Sequence, residues 1–259
     1  MSKNKFLHFN FIKFNRYILG KKYMPVISSP LKGFLWSTAT NYDYLTGTYE
    51  DPIVIETFLS WLQPHSVLYD LGAHVGYYSF LAQQKITKGI IYSFEPSPVN
   101  LEIFADHLAL NKSRISEGVI NIQPYAVSDK EKEVIFSDTK ISVEGNSYMK
   151  DKSGLKPAEM IRIKSFSIDA LVANGFLKPD VLKIDVEGAE LEVLNGAVNT
   201  LRSCKPNILL ATHDSHLPGI KNKCLELLGS LGYQVKHTGG YNKNLAGHDD
   251  FIAIHNDKN

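Results

Sequence analysis

Val67-Leu68-Tyr69-Asp70-Leu71-Gly72-Ala73-His74-Val75-Gly76-Tyr77-Tyr78-Ser79 is the stretch that decides the fold. An apolar run stops at an aspartate, two glycines follow with three residues between them, and the next residues read as the start of a helix. Strand, acidic residue, glycine turn and helix together build a pocket for a nucleotide-like ligand at the carboxyl edge of a parallel sheet. A dinucleotide fingerprint needs Gly-x-Gly-x-x-Gly, so that backbone amides can close on a pyrophosphate. Here the spacing is Gly-x-x-x-Gly, and the preceding carboxylate would repel phosphate. A cationic, phosphate-free ligand suits it better. S-adenosylmethionine carries an ammonium and a sulfonium, so the motif points to a methyltransferase. An NAD-dependent oxidoreductase is the alternative, because Glu95, 23 positions past Gly72, serves either ligand's ribose. A non-catalytic nucleotide-binding module of the same fold is the other.

Outward from this turn the chain alternates. Residues 51 to 62 read as a helix, 66 to 71 as the first strand and 76 to 84 as the next helix. Ile90 to Phe94 is a strand, and Ser97-Pro98 opens a helix to Asn111 with a capping hydroxyl and a proline at its first position. Val119 to Pro124 is a third strand. A β insertion spans about 130–166, with strands at Glu133 to Phe136 and Met160 to Phe166 around a polar tip. Alternation resumes with a helix at 167–173, the strand Val181 to Ile184 and one helix from Ala189 to Arg202. The strand Asn207 to Ala211, a helix from Ile220 to Leu231 and the strands Tyr233 to His237 and Asp250 to His255 complete the chain. This is an α/β chain with a mostly parallel sheet, and the short last connection predicts an antiparallel terminal strand.

The 259 residues, 44% hydrophobic and 21% charged, suit one domain with decoration. A net charge of +1 gives no electrostatic case for a nucleic-acid partner. The balance is uneven, however. Residues 1 to 42 hold seven basic residues and no acidic one; the remainder keeps 21 basic against 27 acidic. This leader is also rich in aromatics, including Phe34 and Trp36. The sequence divides at about residue 48, with a basic aromatic extension over 1–48 (a lid or packed helices) and the catalytic domain over 49–259. Peripheral membrane contact through the N-terminus is a further reading of the leader. No apolar stretch approaches the roughly 20 residues of a transmembrane helix. Two cysteines, Cys204 and Cys224, lie in no metal or redox spacing, which fits a cytoplasmic protein.

Candidate site residues fall at successive strand ends. Asp70, Gly72, Ala73 and Gly76 form the glycine turn, with the glycines letting the backbone approach the ligand. Glu95, followed by Pro96, can accept from two vicinal ribose hydroxyls, and Asp129, preceded by Ser128, from an adenine amino group. A second cluster, Asp185, Glu187 and Glu190, follows the strand Val181 to Ile184. Asp185 borders the central crevice and faces both cofactor and acceptor. Glu190 fits an acidic residue placed by the helix dipole. Beyond the next strand lies His213, a candidate base with Asp214 able to pair with it. Asp185, Glu187 and His213 are the catalytic candidates, and Tyr49, Glu50 and Asp214 the substrate-binding ones. No metal site is assigned, although Asp185 with Asp214 offers two oxygens to a magnesium ion.

Asp70-Leu-Gly-Ala-His-Val-Gly-Tyr-Tyr-Ser, Phe94-Glu95-Pro96-Ser97 with Asn100, Ala126-Val-Ser-Asp129, Ile168-Asp169 and Leu182-Lys-Ile-Asp-Val-Glu-Gly-Ala-Glu190 together resemble the FkbM family of methyltransferases. The resemblance runs from about Thr48 to Ala211. It implies a Rossmann-like class I methyltransferase fold with a seven-stranded sheet, S-adenosylmethionine as cofactor, and O-methylation of a sugar, glycan or natural product. It also implies that Asp70, Gly72 and Glu95 bind the cofactor. One departure stands out: members usually carry a glutamate where this chain has Ala211.

Overall fold

The computed structural model describes residues 22–137, 160–214, 217–238 and 248–258. The lid and membrane readings of residues 1–21, and the tip of the β insertion, lie outside the described residues.

Strands β1 (Tyr23–Pro25) and β2 (Leu35–Ser37) form an antiparallel hairpin ahead of the main sheet. In chain order the others are β3 (Val67–Leu71), β4 (Ile90–Phe94), β5 (Ile120–Gln123), β6 (Ala126–Val127), β7 (Lys132–Ser137), β8 (Met160–Phe166), β9 (Val181–Ile184), β10 (Asn207–His213), β11 (Tyr233–His237) and β12 (His248–His255). The central sheet has seven strands in the order β11-β12-β10-β9-β3-β4-β5. β3, β4, β5, β9 and β10 run parallel, whereas β12 is antiparallel to both of its neighbours. Every residue of β3 and β9 is buried, as expected for strands covered on both faces. One face packs on Phe58, Phe80 and Phe104, the other on Leu171, Leu194 and Leu228. The expected mostly parallel sheet with an antiparallel end is what the chain forms.

Three details depart from the sequence reading. The extension is not helical over 23–37, because Pro25, Pro30 and Gly33 interrupt any helical run. Instead the β1–β2 hairpin sits on the helix Pro98–Leu110. Trp36 is fully buried and stacks on His107 at 4.0 Å, while the backbone amide of Ser37 donates to His107 Nε2 at 2.9 Å. A short helix, Tyr42–Thr46, follows. The helix expected over 189–202 is two, Glu190–Asn195 and Val198–Cys204. A β-carbon at Gly196 would lie 2.3 Å from the Ser128 carbonyl oxygen, and the Gly196 carbonyl accepts from Asp169. The Asp169 carboxylate then receives the amides of Asn199 and Thr200, which open the second helix. Lastly, β7 and β8 pair as the insertion hairpin predicts, but the two-residue β6 joins them in a separate sheet. Two residues are too few to show a period in sequence.

Candidate active site

The site lies at the carboxyl ends of β3, β4, β9 and β10, where an open α/β sheet binds its ligands. Parallel pairing sets Asp70 opposite Lys183 and Ser93, and the β3 and β9 ends abut. Lys183 is the hub. Its ammonium donates to the Gly72 carbonyl at 2.8 Å and lies 3.6 Å from Asp70 and 3.4 Å from Asp185. Burial opposes its charge, but Asp185 and Asp70 outweigh that and hold the ammonium protonated above the usual lysine range. Asp70 is wholly buried, with one carboxylate oxygen accepting from Ser79 at 2.6 Å. Its carboxylate acts on the turn through Lys183, whose ammonium lies 3.6 Å away.

The glycine turn is built for internal bonds. Gly72 and Ala73 both donate to the Phe94 carbonyl (3.0 and 2.9 Å), Gly76 donates to the Ala73 carbonyl at 2.8 Å, and His74 donates to Glu95 Oε2 at 2.8 Å. No anion cradle is left in these amides. The glycines also serve packing. At Gly72, with φ +75°, a β-carbon would sit 1.8 Å from the Asp185 carbonyl oxygen, and at Gly76 it would strike the Phe104 ring. Close approach of the Asp185 backbone and of Phe104 on the helix Pro98–Leu110 is by itself enough to require glycine at both positions.

Glu95 is buried, and beyond His74 its other oxygen accepts from Ser97 at 2.9 Å and from Asn100 at 3.2 Å. Burial, opposed by these donors, pushes its carboxyl up to about 7. Three of its roughly four acceptor positions are filled, leaving one on Oε2. Pro96 continues the same turn. Ser128 and Asp129 belong to a separate cluster: Ser128 donates to Glu192 at 2.8 Å, and Lys132 binds Asp129 at 2.6 Å and holds its carboxyl below the usual range.

Beside the turn, the rings of Tyr44, Tyr49 and Tyr77 pack in tilted and edge-on contact with centroids 4.1 to 5.3 Å apart. The hydroxyl of Tyr44 lies 3.2 Å from the His74 ring, and Glu50 accepts from Tyr78 at 2.6 Å. Burial pushes the Glu50 carboxyl up to about 7. The hydroxyl of Tyr77 and the side-chain oxygen of Asn100 are buried without a hydrogen bond among the described residues, which leaves polar positions for a ligand.

On the far side the structure joins Asp185, Glu187 and His213. The imidazole Nε2 lies 3.6 Å from Asp185 and 3.4 Å from Glu187, and Nδ1 contacts Glu190 at 2.7 Å. The partner of His213 is therefore Glu190, fully buried, and not Asp214, which is turned to cap Lys221 through its backbone amide. The carboxylate that joins Asp185 beside His213 is Glu187. The sequence reading assigned no role to Lys183 and only a helix-dipole placement to Glu190. A lysine inside an apolar strand was the available signal, since a buried ammonium needs a carboxylate partner. Burial opposes the charge on His213, but the Glu190 hydrogen bond, Glu187 and Asp185 push its pKa up to about 10.

The sign of that shift gives a test. A histidine raised from 6.5 to about 10 adds stability that is complete below pH 6.5 and lost as pH climbs toward 10, by about 1.4 kcal/mol per unit of pH. Thermal melts in chelator should therefore fall across that window in the wild type, and His213→Gln should flatten the decline. A parallel decline in that variant would show that other groups cause it.

Comparison with known proteins agrees with this geometry. The family described as Methyltransferase FkbM domain matches residues 70–239. The hexuronic acid methyltransferase AglP of Haloferax volcanii is 32% identical over 151 residues, covering 58% of this chain and 57% of AglP. Methyltransferase sdnD of Sordaria araneosa is 24% identical over 199 residues, covering 67% and 76% respectively. Among solved structures, methyltransferase FkbM from Methylobacillus flagellatus superposes with a TM-score of 0.52 at 17% identity, over 75% of this chain and 44% of that one, a likeness of fold. The chain thus spans little more than half the length of AglP and less than half of the solved FkbM chain. With the family match running from the Asp70 turn through the Asp185 and His213 cluster, the chain belongs to the methyltransferase FkbM family.

Proposed function

We propose that this chain is an S-adenosylmethionine-dependent methyltransferase that methylates a hydroxyl of a sugar, glycan or natural product. The observation that carries the reading is the fate of the turn amides at Gly72, Ala73, His74 and Gly76. All four are spent on protein acceptors, so neither glycine amide of the Gly-x-x-x-Gly turn is left for a pyrophosphate. That argues for a phosphate-free nucleoside and against NAD. The donor set fits a cationic cofactor, since four carboxylates (Asp70, Asp185, Glu187, Glu190) surround two cations, Lys183 and His213.

In this reading Gly72 and Ala73 line the cofactor, Glu95 offers its remaining acceptor position to the ribose, and Asp185 faces the cofactor's positive end. When bound, S-adenosylmethionine supplies an electrophilic methyl group. The protein aligns the acceptor and takes up its proton. Held protonated by three carboxylates, His213 is a poor base at neutral pH, so its role is to fix Asp185 and Glu187, and these carboxylates receive the proton. Tyr49 and Glu50 form the acceptor wall with Tyr44 and Tyr77. AglP's hexuronic acid supports a hydroxylated acceptor, and sdnD's kinship supports methyl transfer. We place residues 22–48 with the domain at 49–259 as one packed unit, since Trp36 and Tyr44 share its core. No helix among the described residues is long and apolar enough to cross a membrane.

Calorimetry should give one equivalent of S-adenosylmethionine per chain and no saturable binding of NADH. Incubation with a panel of hexoses, amino sugars and hexuronic acids should give a product heavier by one CH₂ unit. Saturable NADH binding without S-adenosylmethionine binding would sink the reading. Cofactor binding with no product from any acceptor would favour the binding-module alternative.

A further inference from the structure

We infer that Asp185, Glu187 and His213 form a divalent metal site that takes a first-row transition ion such as Mn²⁺ or Zn²⁺. The three donors come from a strand end, the turn after it and the neighbouring strand β10. One ligand atom from each lies within 4.8 Å of the others. On one edge of the ring, Nδ1 meets Glu190 at 2.7 Å, the length of a direct charge-assisted bond. On the other, Nε2 stands 3.6 Å from Asp185 and 3.4 Å from Glu187. Those lengths suit the ion pairs of a protonated ring, and they also equal the ligand-to-ligand edge of about 3.3–3.5 Å produced by tetrahedral bonds of about 2.0–2.2 Å, so an ion can sit there in place of the Nε2 proton.

The surroundings agree. A ligating histidine almost always gives its second ring N–H to a carboxylate, which fixes the tautomer and aims the other nitrogen at the metal. Glu190, fully buried and itself held by the Gly188 amide at 2.9 Å, occupies that position. One imidazole among two carboxylates selects transition ions over Mg²⁺, which prefers an all-oxygen shell. Three protein ligands also leave coordination positions open. Ion binding stands apart from the methyl-transfer reading; that the open positions hold hydroxyls of the acceptor rests on it.

The test uses the full chain stripped with chelator and titrated with Mn²⁺, following the free-ion paramagnetic signal and calorimetric heat. One Mn²⁺ per chain is expected, with nitrogen hyperfine coupling on the bound ion. Glu187→Gln, at a partly exposed position that tolerates the change, should weaken binding at least tenfold. Glu190→Gln should weaken it roughly 10–100-fold through the histidine. His213→Gln, if it folds, should abolish the nitrogen coupling. Mn²⁺ binding that is unsaturated at millimolar ion, equal in Glu187→Gln and wild type, or displaced one-for-one by Mg²⁺ would overturn the site. S-adenosylmethionine binding measured on the same samples separates the two claims: cofactor binding without metal binding ends this inference alone.

Discussion

Lys183→Met is expected to cost about 3–5 kcal/mol of folding stability, because it strands the Asp70 carboxylate, fully buried, without its counter-charge. At about 2–4 °C per kcal/mol for a domain of this size, the melting temperature should fall by roughly 6–20 °C. Two effects add. The Gly72 carbonyl loses its donor, and Asp185 loses a cation 3.4 Å away. Removing both charges separates them, since a buried pair replaced by apolar groups is often neutral. The double variant Asp70→Leu with Lys183→Met should therefore regain much of the stability lost in the single one, yet still bind S-adenosylmethionine poorly, because the turn remains untethered. Equal melting temperatures for wild type and Lys183→Met would refute the hub role.

Gly72→Ala is expected to abolish cofactor binding, with at least a hundredfold loss of affinity in calorimetry. The added methyl has nowhere to go: its position is 1.8 Å from a backbone oxygen of Asp185, and φ is +75°. Relief requires prising β3 from β9 at the point where both present site residues. The strain of a non-glycine residue there adds about 1–2 kcal/mol. Full cofactor affinity in a folded Gly72→Ala protein would mean that the strand ends can separate freely. The parallel change at Gly118, which also has positive φ but meets nothing within 4 Å, controls for backbone strain alone.

Much of this was readable from residues. The central strands are apolar runs closed by Asp, Glu or Pro, so β3, β4 and β9 could be placed to within a residue. Ser97-Pro98 marked a helix start by capping chemistry, and Ser97 caps as expected. What was not readable depends on contacts distant in sequence. Gly196 breaks a helix because Ser128, 68 positions earlier, arrives against it. Asp214 beside His213 in sequence looked like its partner. Extended backbone turns adjacent side chains to opposite faces, and Glu190 reaches the ring from another element. The β1–β2 hairpin was hidden because three-residue strands carry no period. The catalytic side was legible as a list of acidic residues, and its arrangement was not.

β12 lies between β10 and β11, antiparallel to both, although it is the last of the three in the chain. During synthesis, β10 and β11 therefore leave the ribosome with a missing strand between them. The edge of β10 that ends in His213 stays unpaired until residue 255 is made. A nascent chain is thus exposed to strand-to-strand association at the very edge that holds the acidic cluster. Assembly of the site waits until β12 has been made, and chaperone demand should peak before then.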